Sequence, residues 1–347
     1  MHRFLIASVA ASMALSAAPA MAQVYPERIE IKAKSRTVTS STSYQRRDRD
    51  DAREQSTERT TKTFRLGSSG SLGLWNVAGD ITVSRANGSD TTVEIVKTAH
   101  GRDAADAKEL LQLVTVDASE RSGRAEVRVN YPNGDEMRRR SRRGVNVSVD
   151  YIVTAPAGTR ISVESISGDV RITDLKGDVS AQTVSGDVRI SGAHAGTAKT
   201  ISGTVEVTDA QVDGPLDASS VSGDVILRRV SARRVDAGSV SGDVKLEDVQ
   251  SERVSAHSTS AEIWFTGTLV KNGRYDLKAF SGDVRLALSG NTGFEVNASS
   301  FSGGIHSDFP VTSRGRIDRQ KLSGTFGDGS AVLELSTFSG SITISKR

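Results

Sequence analysis

From Ile161 to Ile344 the apolar residues fall into short alternating pairs separated by a recurring polar corner. Downstream of each corner stand Val170/Ile172, Val188/Ile190, Val205/Val207, Val225/Leu227, Val244/Leu246, Ile263/Phe265, Val284/Leu286 and Ile342/Ile344. Upstream a second pair repeats, as in Ile161/Val163, Val179/Ala181, Val235/Ala237 and Leu333/Leu335. A period of two is the mark of a strand with one buried face. A third apolar column precedes each corner serine, among them Ile166, Val184, Ile201, Val221, Val240, Phe280, Phe301 and Phe338, and joins the expected core. The serines themselves, from Ser167 to Ser302, are spaced by 17 to 21 residues. A gap of 37 to Ser339 leaves room for one degenerate unit around Ser323.

Self-similarity at so short a period predicts a solenoid, in which coils about 4.8 Å apart share backbone ladders and thread their apolar columns into one core. Ser-Gly-Asp is then the bend, written once per coil. Glycine admits backbone angles or close approaches denied to other residues, and Asp bonds neighbouring amides. The expected turn residues are Gly168, Asp169, Gly186, Asp187, Gly223, Asp224, Gly242, Asp243, Gly282 and Asp283. Gly223 and Gly242 are expected at positive φ or otherwise restricted angles. Ser260-Ala261-Glu262, where Ala replaces Gly, predicts a relaxed corner.

The pattern upstream differs. Residues 1–22 combine Arg3, the apolar run "FLIASVAASMALSAA" and Ala20-Met21-Ala22, which reads as a signal peptide cleaved before Gln23. Residues 23–61 are polar, carry "QRRDRDDAREQSTERTT" and read as a disordered linker. Residues 62–160 predict an irregular β-rich cap with one short helix in "DAADAKELLQLV", capped by Asp103 with Ala107, Leu110 and Leu111 on one face. "RAEVRVNYP" and "VNVSVDYIVTAP" suggest a hairpin around a long loop. Residues 161–345 form the repeat body. The fold expected is all-β: a β-solenoid of about nine or ten short coils behind that cap.

At this point the chain resembles an exported bacterial β-strand-repeat family of unknown function labelled "putative adhesin". The likeness rests on "VNYP" followed by a variable loop and "YIVTAPAGTRISVESISGDVRI", on the serial "SGDV" units, and on "LSGTFGDGSAVLELSTFSGSITI", and spans roughly residues 64–345. It implies a β-helix-like solenoid and an envelope location, in the periplasm or at the cell surface.

Composition narrows the chemistry. The chain has no cysteine, which excludes disulfides, thiolate catalysis and a lipid-modified cysteine. Its net charge is +3, of which Arg3 in the leader supplies one, so no global field draws it to nucleic acid or membrane. No second apolar span follows the leader. His100, His194, His257 and His306 have no metal-ligand spacing, and no G-x-S-x-G elbow is present. No cofactor is expected. A glycan-active β-helix enzyme would need carboxylates converging in a groove, usually beside sugar-stacking aromatics; aromatic residues make up 5% of this chain. The repeated aspartates read as turn formers, with weak cation binding as the competing role.

Two surfaces could contact an anion or a glycan. One is the loop with Arg138, Arg139, Arg140, Arg142 and Arg143. The other is the outward column Arg171, Arg189, Glu206, Ile226, Lys245, Trp264, Arg285 and His306, in which Lys245, Trp264 and Arg285 form either a cation–π ladder or a glycan contact. The function expected is a non-enzymatic exported binding or scaffold protein. Its partner would be an anionic envelope polymer, a glycan or another envelope protein, and not nucleic acid. A glycan-active enzyme and an envelope element that self-associates through exposed solenoid edges are the alternatives; Lys346 and Arg347 look like guards on such an edge.

Overall fold

The computed structural model describes residues 54–67, 69–132, 146–313 and 319–347, all within the compact unit Ser35–Arg347. The leader, residues 23–53 and the arginines at 138–143 lie outside the described residues. The chain runs β1 (Glu54–Phe64), β2 (Ser71–Ala78), β3 (Ile81–Arg85), β4 (Thr91–Gly101), α1 (Ala104–Leu113), β5 (Thr115–Arg121), β6 (Arg124–Asn130) and β7 (Val147–Ala155). Then come β8 (Arg160–Ser167), β9 (Val170–Thr173), β10 (Asp178–Ser185), β11 (Val188–Ser191), β12 (His194–Lys199), β13 (Val205–Thr208), β14 (Gln211–Ser220), β15 (Val225–Arg228), β16 (Ser231–Ser239) and β17 (Val244–Glu247). The last are β18 (Arg253–Ser258), β19 (Ile263–Thr268), β20 (Arg274–Ser281), β21 (Val284–Ser289), β22 (Phe294–Ser302), β23 (Ile305–Ser307), β24 (Thr312–Ser313), β25 (Lys321–Phe326), β26 (Ala331–Ser339) and β27 (Ile342–Lys346).

Odd and even members of the repeat separate into two sheets of 13 and 14 strands, parallel throughout the repeat. Each coil gives one strand to each sheet, and the Ser-Gly-Asp corner joins them. Both inward pairs are buried as the alternation requires: Val170, Ile172, Val244, Leu246, Ile263 and Phe265 have essentially no exposure. The fold is the all-β solenoid that the sequence predicts.

Several elements are placed differently from the sequence expectation. The coils number ten because β2 and β3, inside the expected cap, already pair in parallel with β8 and β9. Their corner reads Ala78-Gly79-Asp80, the same bend without the serine. Residues 54–61, expected in the linker, belong to β1, which pairs antiparallel with β4 along its whole length. β6 and β7 do not form a hairpin: β6 pairs with β2 and β5, whereas β7 pairs with β3 and β4 in the other sheet. The Tyr131 hydroxyl donates to the Val147 carbonyl at 2.8 Å, and burial pushes its pKa up to about 12. The helix is as expected: the Asp103 carboxylate accepts from the Asp106 amide at 2.8 Å, and Ala107 and Leu111 face the core.

The final strands break sequence order. β26 lies between β20 and β22, and β27 between β21 and β23, so the last coil inserts ahead of the one before it. Residues around Ser323 form β25, antiparallel to β22, rather than a coil. Lys346 therefore ends an interior strand, β27, and Arg347 follows it, so neither sits on an outermost strand of the solenoid.

The corner itself has three stacked components. Ser165, Thr183, Thr200, Ser220, Ser239, Ser300 and Thr337 are buried at one inward position, and the hydroxyls of the last five donate to a glycine carbonyl of the neighbouring coil. Thr200 donates to Gly186 O at 3.0 Å, Ser220 to Gly203 O at 2.9 Å and Ser239 to Gly223 O at 2.9 Å. With that position inward, strand alternation turns the next residue outward. Ile166, Val184, Ile201, Val240, Phe280, Phe301 and Phe338 are thus between 36% and 67% exposed, not in the core.

The aspartates make the third component. One oxygen of each accepts a backbone N–H from the next coil: Asp80 from Asp169 at 2.9 Å, Asp169 from Asp187 at 3.0 Å, and Asp187 from Thr204 at 2.8 Å. Asp224 accepts from Asp243 at 3.0 Å and Asp283 from Ser341 at 2.8 Å. The other oxygen of Asp169, Asp187 and Asp283 meets an arginine two residues on, as in Asp187–Arg189 at 2.5 Å, whereas Asp80 and Asp224 face Arg171 and Lys245 of the next coil at 3.8 Å. At Ser260-Ala261-Glu262 the corner is looser: the Asp243–Glu262 amide contact lengthens to 3.3 Å. The ladder predicts a graded result. Asp187→Ala, which removes both contacts, should cost about 1–2 kcal/mol, and Asp187→Asn, which keeps the amide acceptor, less than half of that. Urea melts check this; equal losses would show that the ion pair, not the amide bond, carries the effect.

Candidate functional site

The outward column forms in the predicted register up to Arg285: Lys245 lies beside Trp264, and Trp264 beside Arg285. Beyond it Thr343, not His306, is the next neighbour, because β27 is inserted there. The Arg285 guanidinium sits 4.8 Å from the Trp264 ring centroid, and the Trp264 indole N–H donates to Glu262 at 2.8 Å. Arg285 also pairs with Asp283 and Glu262, and Lys245 with Asp243 at 3.1 Å and Asp224 at 3.8 Å. The Asp243 hydrogen bond, with help from the charges of Asp243 and Asp224, holds the Lys245 ammonium above its usual range. Each arginine and lysine in the column is already matched by at least two carboxylates, and one face of the Trp264 ring is covered. That arrangement supports the sheet as a cross-strand ladder.

The opposite sheet presents a different column. Arg234, Arg253 and Arg274 stand in register on β16, β18 and β20, all exposed. Parallel register sets such neighbours about 4.8 Å apart, and like charges directly opposite destabilise a sheet. Arg234 is balanced by Asp236 at 2.8 Å and Arg274 by Glu334. Arg253, between them, has no ion pair among the described residues. Together with Val254, Ser255 and Asp276 the three arginines line an open depression. In it Asp276 accepts from the Lys278 ammonium at 2.7 Å through one oxygen; its other oxygen is enclosed and meets no donor. The depression therefore offers one cation, Arg253, that no carboxylate among the described residues matches. Sequence reading passed over these residues, yet the signal was present: each arginine lies seven positions before its corner serine, Ser241, Ser260 or Ser281.

His100, His194, His257 and His306 are dispersed over β4, β12, β18 and β23, and no group of three or more His, Asp or Glu among the described residues could hold a metal ion. No described helix is long and apolar enough to cross a membrane.

Residues 143–229 and 196–345, together more than half of the chain, match the pattern of the toastrack DUF4097 family. The chain belongs to that family. The matched span covers the repeat body, so the toastrack pattern and the stacked coils are the same feature seen in sequence and in structure. No curated protein matches the chain. Among solved structures it is similar to a "putative adhesin" from Bacteroides fragilis NCTC 9343, at 14% identity and a TM-score of 0.43, covering 84% of this chain and 97% of that one. A "putative adhesin" from Parabacteroides distasonis ATCC 8503 aligns at 11% identity and a TM-score of 0.42, over 83% and 97%. A "putative lipid binding protein" from the same organism aligns at 12% and 0.40, over 83% and 96%.

Proposed function

We propose that this toastrack protein is exported and acts without catalysis as an envelope binding or scaffold protein, taking an acidic glycan or similar anionic polymer in the depression at Arg253. The observation that carries the reading is the exposed Arg253 guanidinium, which has no ion-pair partner among the described residues and stands in register between Arg234 and Arg274. A guanidinium without a carboxylate partner is set for bidentate contact with a ligand carboxylate or phosphate. Arg234 and Arg274 on either side extend the positive strip along the stacking direction, so successive acidic groups of one polymer can follow it. The leader in the sequence supports export. The arginines at 138–143 and the Lys245–Trp264–Arg285 column stay as secondary contacts in this reading, the first by long-range attraction that salt screens.

A labelled oligogalacturonate, with a neutral galactan oligosaccharide as control, tests the site. Arg253→Ala should weaken binding of the acidic probe by about tenfold or more, and Arg253→Lys by less, since a point charge lacks the guanidinium fork. Wild-type binding by Arg253→Ala, or equal binding of the neutral probe, would overturn the proposal. If loss follows only from neutralising the five loop arginines or from Trp264→Ala, the site lies elsewhere on the molecule.

A further inference from the structure

The outward column forms a ridge on the same sheet, one residue per coil from Ile166 to Phe301, apolar on every coil but the one that carries Thr259. Its members are held in line by backbone bonds between coils, such as Ser202 N–H to Val184 O and Ser222 N–H to Ile201 O, both within 2.9 Å. It tapers. Three coils carry Ile166, Val184 and Ile201 at one end; Phe280, Phe338 and Phe301 stand on successive coils at the other. The phenylalanine rings stack nearly parallel, with centroids 5.1 and 4.7 Å apart and interplanar angles of 3° and 4°. Their inner faces are spent on one another, which leaves edges rather than open platforms for sugar stacking. With exposures of 36% to 67%, and side chains of about 150–250 Å² for aromatics and less for aliphatics, the ridge leaves roughly 600 Å² of apolar surface in solvent.

We infer that this ridge is a homodimer interface in which a second copy packs antiparallel, with the two-fold axis at Val240. Nine coils run from Ile166 to Phe301, and Val240 is on the fifth. Antiparallel pairing then sets Phe301 against Ile166 of the other copy, Phe338 against Val184 and Phe280 against Ile201, so that a thick end always meets a thin one. A parallel pairing would crowd phenylalanine against phenylalanine and leave a gap at the aliphatic end. A stable interface takes about 800 Å² per partner; the ridge supplies most of that, and the exposed serines beside it, Ser167 through Ser302, supply a neutral rim. The one like-charge meeting, Lys199 with Lys278 of the other copy, is already neutralised within each chain by Asp217 at 2.5 Å and Asp276 at 2.7 Å. The arginine column lies six residues away along the strands, about 20 Å, and outside the contact. The inference therefore does not depend on the ligand proposed above.

Sedimentation equilibrium on the exported chain should give twice the chain mass. Ile201→Asp alone and Phe280→Lys alone should each weaken the dimer by about tenfold or more. The Ile201→Asp/Phe280→Lys double variant should recover most of the loss, because in the antiparallel register each new charge faces its opposite. Because the chain has no cysteine, Val240→Cys should be joined across the axis by a short bis-maleimide, whereas Ile166→Cys, about 38 Å from its own copy at eight coil spacings, should not. Arg253→Ala should leave the mass unchanged. A monomer at tens of micromolar, a double variant no better than the singles, or equal cross-linking at both cysteines would each overturn the inference.

Discussion

Gly242→Val is expected to destabilise the protein by about 3 kcal/mol, with Gly242→Ala intermediate. The reason is not a left-handed backbone. Gly168, Gly186 and Gly203 do adopt φ of 126°, 135° and 151°, but Gly223 and Gly242 are not among the residues with such angles. Their constraint is proximity: a Cβ on Gly242 would lie 2.1 Å from the Gly223 carbonyl oxygen and 2.3 Å from its carbon. Those atoms are backbone, held by the Ser239 hydroxyl on one side and by the ladder on the other. Relief requires the coils to part, and that strains the Asp224–Asp243 amide bond and the Val225 N–H bond to Asp243 O together. The protein already contains the mild form of this experiment. Ala261 occupies the equivalent place, and there the amide contact is 3.3 Å. Ala261→Gly should accordingly be tolerated within about 1 kcal/mol, glycine's entropic cost offset by a tighter corner. Thermal and urea unfolding of the three variants decides the matter; a Gly242→Val protein as stable as wild type would show that the coils have slack the geometry does not suggest.

What the sequence revealed and what it hid follow from the same physics. The inward pairs were legible because two strict alternations flank every bend and buried aliphatic residues admit little else. The coil at Ser71–Arg85 was hidden by one substitution, Ala78 for the expected serine, and by the cap strands that follow it before the chain returns. The ridge was misassigned because apolar character was taken for burial. A serine or threonine at the preceding position is small enough to go inside and has a glycine carbonyl to bond, and that fixes the phase of the alternation. β1 was missed because its residues are nearly all polar; only Phe64 is buried, and pairing with β4 supplies the order. The arginine column was legible in principle, since a common offset from the corner serine implies a common register. It went unnoticed because corner residues, not strand residues, set the eye's frame.

Strand order at the end of the chain could not be read from spacing at all, and it yields the prediction with the largest expected effect. Deleting residues 330–347 removes β26 and β27, which each pair on both sides. It also takes Leu333, Leu335, Ile342 and Ile344 from the core, all at most 2% exposed. At about 1.5–3 kcal/mol for each such side chain, burial alone amounts to roughly 6–12 kcal/mol. The coil of β22 and β23 contacts the rest of the solenoid's sheets through this inserted coil, so residues 290–329 should lose their dock although they remain in the chain. The corresponding observation is that the 330–347 and 290–347 deletions leave the same protected body in limited proteolysis and hydrogen exchange, with residues 290–329 of the first cut readily. Both should also aggregate more than the full chain, because β20 and β21 become bare parallel edges. Should residues 290–329 stay protected in the shorter deletion, the coil can dock on β20 and β21 directly, and the insertion of the last coil would be a convenience of packing and not the clasp that holds the end of the solenoid.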